Sequence, residues 1–348
     1  MGGDPQDISR VANRVFDTHI HYVPQSALEE LGSLEHLGIR YDKELDQFVR
    51  LGEAQQGLGG GLFRLQEPIP ANGRPVTQIL SPWSDLIRDD VPDQEGAAWC
   101  RTLNDAVAQD IKGNDGYRAF AALPSGSPDL AAAELERAVS IGFVGGMIPT
   151  QVHGMNLDEW GIDPLLEACE QLEAPIFVHP AKVLAPERLN RHFLRNLCGF
   201  PFETTVAAFS LYFSGAFDRY PDAKVMLAHA GGLLAFLAGR AAHATLAVND
   251  LGREGVSASD ILEPFFFDCV VHEPSALAFA LGEIGPERMV LGSDGPFTMG
   301  LTDPLTHVAK AATMIGLEGG EIARQIGCET PLRLLPPSAA LVGQGVQR

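Results

Sequence analysis

Asp17-Thr18-His19-Ile20-His21 closes the first apolar run of the chain. Side chains alternate across a strand, so His19 and His21 project to the same side. Two imidazoles side by side can chelate one divalent ion. Three later apolar runs also end in residues of this kind: Ile176-Phe177-Val178-His179, Val225-Met226-Leu227-Ala228-His229 and Val290-Leu291-Gly292-Ser293-Asp294. Burying a carboxylate and four imidazoles together is expensive unless a metal or a hydrogen-bond network compensates them. The remaining histidines, His36, His153, His192, His243, His272 and His307, fall in loops or helical patterns and read as ordinary surface or core residues. Of these, His153 and His272 follow strands four and seven and are placed to line a mouth. Among the acids, Glu203 and Asp268 come next, although a Glu at a helix start reads first as a cap or dipole partner.

Eight short apolar runs have the composition of strands buried on both faces. They are Val15–His21, Val76–Ser81, Arg118–Leu123, Phe143–Ile148, Pro175–His179, Lys224–His229, Phe265–Val270 and Met289–Asp294. Helical patterns separate most of them: Gly96–Lys112, Asp129–Ile141, Pro164–Leu172, Thr204–Tyr220, Leu233–Val248, Pro274–Ile284 and Pro304–Ile315. Strand then helix, repeated, implies a parallel sheet. The first strand ends in His-x-His rather than a Gly-rich nucleotide turn, so a closed (β/α)8 TIM barrel fits better than an open doubly wound sheet. In such a barrel the strand ends carrying His19, His21, His179, His229 and Asp294 converge on one face. Residues 22–75 form an insertion after strand one, with glycines at 57 and 59–61 and prolines at 68, 70 and 75, and read as a flap above the barrel mouth. The expected organisation is a flexible N-terminus over 1–14, a single barrel over 15–335 and a C-terminal tail over 336–348.

The 348 residues carry 25 Lys and Arg against 45 Asp and Glu, a net charge of −20. That balance, with no run of four basic residues, disfavours nucleic acid and anionic membranes as partners. Five scattered cysteines without a C-x-x-C pair argue against a disulfide framework and a thiolate zinc site. The polar start of the chain lacks the apolar core of a signal peptide and no stretch approaches the length of a membrane span, so a cytoplasmic location is expected.

Taken together, D-T-H-I-H-Y-V-P, F-V-H-P, G-F-P-F-E-T-T with S-G-A-F-D-R-Y-P, L-A-H-A-G-G and L-G-S-D-G-P-F, in order over nearly the whole chain, resemble the amidohydrolase superfamily. The resemblance is to the branch containing aminocarboxymuconate-semialdehyde decarboxylase and gamma-resorcylate decarboxylase. It implies one divalent metal ion, Zn2+ first and Mn2+ second, held by His19, His21, His179 and Asp294, with His229 near the metal's water or the substrate. Binuclear relatives carry a carboxylated lysine at the end of strand four; Met147-Ile148-Pro149 stands there instead, which favours one metal. Ala181 replaces the Trp that follows the strand-five His-Pro in the semialdehyde decarboxylases, and His-Ala-Gly-Gly replaces His-Gly-Gly-Gly. The resemblance is therefore to the wider branch.

The implied reaction is metal-dependent nonoxidative decarboxylation of a small unsaturated or aromatic carboxylic acid, with His229 and Asp294 moving a proton to the carbon that bears the carboxylate. Metal-dependent hydrolysis or hydration of a related lactone, amide or enol acid uses the same ligands. A non-catalytic metal- or ligand-binding barrel is the third reading, disfavoured by the His and Asp available beyond a minimal chelate. An anionic substrate requires a local cation. Arg240, eleven residues after His229, matches an arginine that in the resembled decarboxylase reaches the substrate of the neighbouring subunit, which implies a homodimer or higher homo-oligomer. Arg64, just after the glycine run, is the second candidate, and Trp83 and Phe297 are candidates for the apolar wall.

Overall fold

The computed structural model describes residues 14–30, 39–42, 47–50, 57–58, 60–69, 71, 73–248 and 251–340. The expectations for most of the N-terminus, for the last eight residues of the tail and for His36 lie outside them. Eight strands run in order around one sheet: β1 (Val15–His21), β2 (Val76–Ser81), β3 (Tyr117–Ala122), β4 (Gly145–Pro149), β5 (Ile176–His179), β6 (Val225–Leu227), β7 (Phe265–Asp268) and β8 (Met289–Val290). Every adjacent pair is parallel. The segment after β8 closes the sheet on β1: the Thr18 N–H donates to Leu291 O, the Ser293 and Asp294 N–H groups to His19 O, and the His21 N–H to Gly295 O. The result is the expected (β/α)8 barrel.

Each strand faces two apolar layers, which is why the strands read as continuous hydrophobic runs. Phe16, Ile79, Phe120, Met147, Phe177, Met226, Phe266 and Val290, one from each strand, share the interior cluster. Their neighbours Val15, Leu80, Ala119, Ile148, Ile176, Val225, Phe265 and Met289 belong to the cluster that packs against the outer helices. Those helices are α1 (Asp93–Asp110), α2 (Pro128–Ser140), α3 (Asp163–Leu172), α4 (Phe200–Phe213), α5 (Leu234–Ala244), α6 (Pro274–Ile284), α7 (Pro304–Met314) and α8 (Gly319–Arg324). Pro128, Pro274 and Pro304 each open a helix, where a missing N–H costs nothing. Among the described residues no helix is long and apolar enough to cross a membrane.

Three expectations change. The helix expected over Thr204–Tyr220 breaks after Phe213, where Gly215 turns left-handed at φ 74° before a short helix over Ala216–Arg219. Strands six and eight end early, at Leu227 and Val290, so His229 and Asp294 stand beyond their strands rather than at the ends of them. The insertion after β1 is not featureless: Ile39–Asp42, Gln47–Arg50 and Gly57–Leu58 pair as an antiparallel sheet. Its two ends also pack down, with Val23, Ala27, Leu28 and Leu62 buried in the cluster that holds Ile79 and Trp83.

Candidate metal centre and active site

The register of β1 against β2 shifts between Asp17 and Ile20, a local irregularity of the kind that re-aims side chains. His19 and His21 both enter the barrel mouth fully buried, and His179 joins them from the end of β5. Each imidazole gives its Nδ1–H to a fixed acceptor. His19 donates to Asp268 Oδ2 at 2.6 Å, His21 to Pro82 O at 3.0 Å and His179 to Pro180 O at 2.9 Å. In the neutral rings these acceptors place the proton on Nδ1 and leave the three Nε2 lone pairs aimed inward. His19 Nε2 and His21 Nε2 lie 3.1 Å apart, and each is 3.3 Å from Asp294 Oδ1. His179 Nε2 is buried with no hydrogen-bond partner among the described residues. One ligand atom from each of His19, His21, His179 and Asp294 lies within 4.8 Å of the others. Unprotonated lone pairs turned on one another repel unless a cation lies between them, so the donor set fits one divalent ion.

His229 and Asp294 reach the same centre from irregular backbone. His229, Ala230, Gly231 and Gly232 are four successive residues of positive φ. At Gly232 a Cβ would stand 1.9 Å from Pro201 O, so only glycine fits the last turn. The turn brings His229 Nε2 to 3.8 Å from Asp294 Oδ2, while its Nδ1 is buried without a partner among the described residues. Asp294 itself has φ 56° and is tied to β1 through its own N–H. Gly292, two residues earlier, is required as well, since a Cβ there would come within 2.8 Å of His19 Cβ.

Burial lowers the proton affinity of His19, but the Asp294 and Asp268 carboxylates overcome it and raise the group to about 10. His21 is held below its ordinary value by burial. His179 is pushed well below it, by burial and then by the other three imidazoles. Burial would raise Asp294, yet His19, His21 and His229 hold it well below the carboxylate range. Asp17 rises to about 6 because burial outweighs the bonds from the Ser293 N–H and Oγ–H.

Several groups that position the site carry no sequence signal. Pro82 O and Pro180 O select histidine tautomers, yet they are main-chain atoms. Ser84 Oγ donates to Pro180 O at 3.0 Å, and Arg195 Nη2 donates to Asp85 Oδ1 at 3.0 Å and to Ala181 O. The loops after β2 and β5, which hold those two carbonyls, are thereby clipped together. Asp268 is the exception: an acid ending Phe265-Phe266-Phe267 is visible as out of place in an apolar run.

Of the expected wall residues, Phe297 packs its ring 4.9 Å from that of His21, and Trp83 is buried in the interior cluster next to Pro82. Arg64 is exposed just beyond the short turn Gly60–Phe63, whose Gly61 abuts Pro296. Arg240 is exposed on α5 and makes no ion pair among the described residues. His153, His272 and His307 make contacts apart from the cluster: the His153 N–H donates to Asp89, and the rings of His272 and His307 donate to Met299 O and Val271 O. Glu203, in the first turn of α4, accepts the Leu184 N–H. A groove of about 940 Å3 beside Arg74, Lys310 and Arg324 lies on the outer flank and includes none of the histidine cluster, so volume does not mark the site.

Known proteins share sequence and fold with this chain. The chain is 33% identical over 211 residues to 2-amino-3-carboxymuconate-6-semialdehyde decarboxylase of Dictyostelium discoideum, a match spanning 60% of this chain and 59% of that relative. It is 31% identical over 244 residues to gamma-resorcylate decarboxylase of Polaromonas sp. strain JS666, covering 64% of this chain and 73% of the relative. The apo crystal structure of Metarhizium anisopliae IDCase superposes with a TM-score of 0.79 at 22% identity, over 94% of this chain and 98% of that one. A Polaromonas dihydroxybenzoic acid decarboxylase, solved with manganese and 2-nitroresorcinol, superposes with a TM-score of 0.68 at 23% identity, over 92% and 96%. At such identities the superpositions establish the shared fold. The amidohydrolase family profile matches residues 16–336, nearly the whole described barrel, and the chain belongs to that family.

Proposed function

We propose that the chain is a metal-dependent nonoxidative decarboxylase, a carboxy-lyase acting on a small aromatic or unsaturated carboxylic acid. The observation that carries this reading is the division of labour within Asp294. Its Oδ1 faces His19 and His21 at 3.3 Å, whereas its Oδ2 faces His229 at 3.8 Å. One carboxylate thus serves a metal site on one side and a proton carrier on the other. An ion held by His19, His21, His179 and Asp294 would supply a Lewis acid that orients the substrate carboxylate and an adjacent oxygen. His229, with Asp294 behind it, delivers a proton to the carbon bearing the carboxylate. The bond to the carboxyl carbon then breaks, CO2 leaves, and its electron pair restores the conjugated system. Phe297 and Trp83 exclude water from the reacting face.

Three nitrogens and one carboxylate suit Zn2+, with Mn2+, present in the Polaromonas structure, as second choice. Arg240 and Arg64 are the cations assigned to the substrate carboxylate. Arg240 shares an exposed stripe with Phe236 on α5 and with Leu233 at its N-cap, Phe236 being 72% exposed, and makes no ion pair among the described residues. That placement supports a homodimer in which Arg240 reaches the partner's mouth. The free cysteines, four of the five buried, support residence in the reducing cytoplasm.

The test is incubation of the metal-loaded protein with hydroxybenzoates and muconate-type acids in D2O. The expected result is CO2 with deuterium at the vacated carbon. Incorporation of 18O from labelled water without CO2 would instead favour the hydrolase or hydratase reading.

A further inference from the structure

Asp268 is fully buried at the end of β7, and its two oxygens accept four hydrogen bonds. Oδ2 takes His19 Nδ1–H at 2.6 Å and the His229 N–H at 2.9 Å. Oδ1 takes the N–H groups of Ala230 and Val270, both at 2.9 Å. The successive N–H groups of His229 and Ala230, both in left-handed conformation, form a concave anion-binding nest, and the anion they bind is this carboxylate. The same carboxylate therefore touches a metal-ligating imidazole through its side chain and the proton-carrying residue through its backbone.

We propose that Asp268 is the positioning residue of the centre: one carboxylate both fixes the His19 tautomer that presents Nε2 to the ion and holds the left-handed turn that aims His229 at Asp294. The inference rests on the metal-site reading above.

The geometry separates this role from simple core support. An asparagine at position 268 keeps one acceptor and gains an NH2. With the NH2 on the Oδ1 side it would oppose the N–H groups of both Ala230 and Val270. With the NH2 on the Oδ2 side it opposes only the His229 N–H, and His19 Nδ1 can turn acceptor. The second arrangement is favoured, and it moves the neutral imidazole's proton to Nε2, where the ion requires a lone pair. An alanine leaves room for water beside Nδ1 and imposes neither tautomer.

The experiment is a chelator-competition titration of Mn2+ into metal-depleted wild-type, Asp268→Ala and Asp268→Asn proteins, with thermal unfolding of each. Loss of a partner behind a ligating histidine weakens metal binding by about 10–100-fold, which is the expectation for Asp268→Ala. Asp268→Asn is expected to bind at least about tenfold more weakly than Asp268→Ala, although it unfolds at the higher temperature. A merely structural carboxylate gives the opposite order, with affinity following stability and the Asn variant the milder, and that order would overturn the proposal. Should the Ala variant not fold, an Asn variant that binds Mn2+ within threefold of wild type overturns it alone. 15N spectra of the Zn2+-loaded wild type must show a proton on His19 Nδ1; a metal bond there is equally fatal. Failure of the wild type to bind either ion would instead remove the metal-site reading itself.

Discussion

The two sides of the barrel mouth are built differently. His19, His21 and His179 stand within or at the end of strands, and hydrogen bonds at Nδ1 lock each ring. His229 and Asp294 stand beyond their strands on left-handed backbone, and His229 keeps an unpartnered Nδ1. The three imidazoles of the donor set need only fixed direction, which the strands and their Nδ1 acceptors supply. A group that moves a proton needs a ring nitrogen that the scaffold does not engage, which the turn leaves at the cost of unfavourable φ angles. The left-handed turn is affordable because Asp268 satisfies two of its N–H groups.

Breaking the strand side should have the largest effect. His19→Ala is expected to weaken metal binding by more than the ~100-fold upper range for a lost supporting partner and to abolish turnover, as read by metal analysis and CO2 release. Retention of one equivalent of metal with full activity would remove the assignment. On the turn side, His229→Ala should lower turnover by about 10²–10⁴ while leaving metal stoichiometry intact, because general acid catalysis is lost and no ligand is. If that variant also lost its metal, the contrast between the two sides would collapse.

Proton competition sharpens the same contrast. His19 holds a proton up to about 10, whereas His21 and His179 lie below the ordinary histidine value and Asp294 is ionised. An ion must therefore displace one proton near neutrality, and its affinity should rise about tenfold per pH unit before levelling near pH 10. Isothermal titration in buffers of different ionisation enthalpy counts the released proton; two or more released would show that His21 or His179 also holds a displaceable proton. The smallest effect is expected for Arg195→Ala, which loosens the clip between the loops carrying Pro82 O and Pro180 O. Metal affinity should fall by about tenfold or less, since both carbonyls remain. A dye-competition titration measures it.

The same division explains what could be read from the sequence. β1 and β2 and the helix Pro274–Ile284 have the limits that their apolar runs and opening proline imply. Period-two alternation made His19 and His21 legible as a pair, and His179 was legible as the polar end of an apolar run. His229 and Asp294 were legible as residue types, but their backbone was not. The run Met289–Asp294 looks like strand to its end, yet residues after Val290 bend to close the barrel on His19 O. The tautomer-setting carbonyls of Pro82 and Pro180 could not be read at all, because main-chain acceptors leave no trace in residue identity. The sheet inside the insertion was hidden by its glycines and prolines, which dominate a composition-based reading of residues 22–75.

The most direct test of the central claim combines metal content with isotope tracing on one preparation. Protein loaded to a single equivalent of Zn2+ or Mn2+ should release CO2 from an aromatic or muconate-type acid in D2O and place one deuterium at the vacated carbon, with no solvent oxygen in the product. Product carrying solvent 18O without CO2, or equal turnover by the metal-depleted protein, would contradict it.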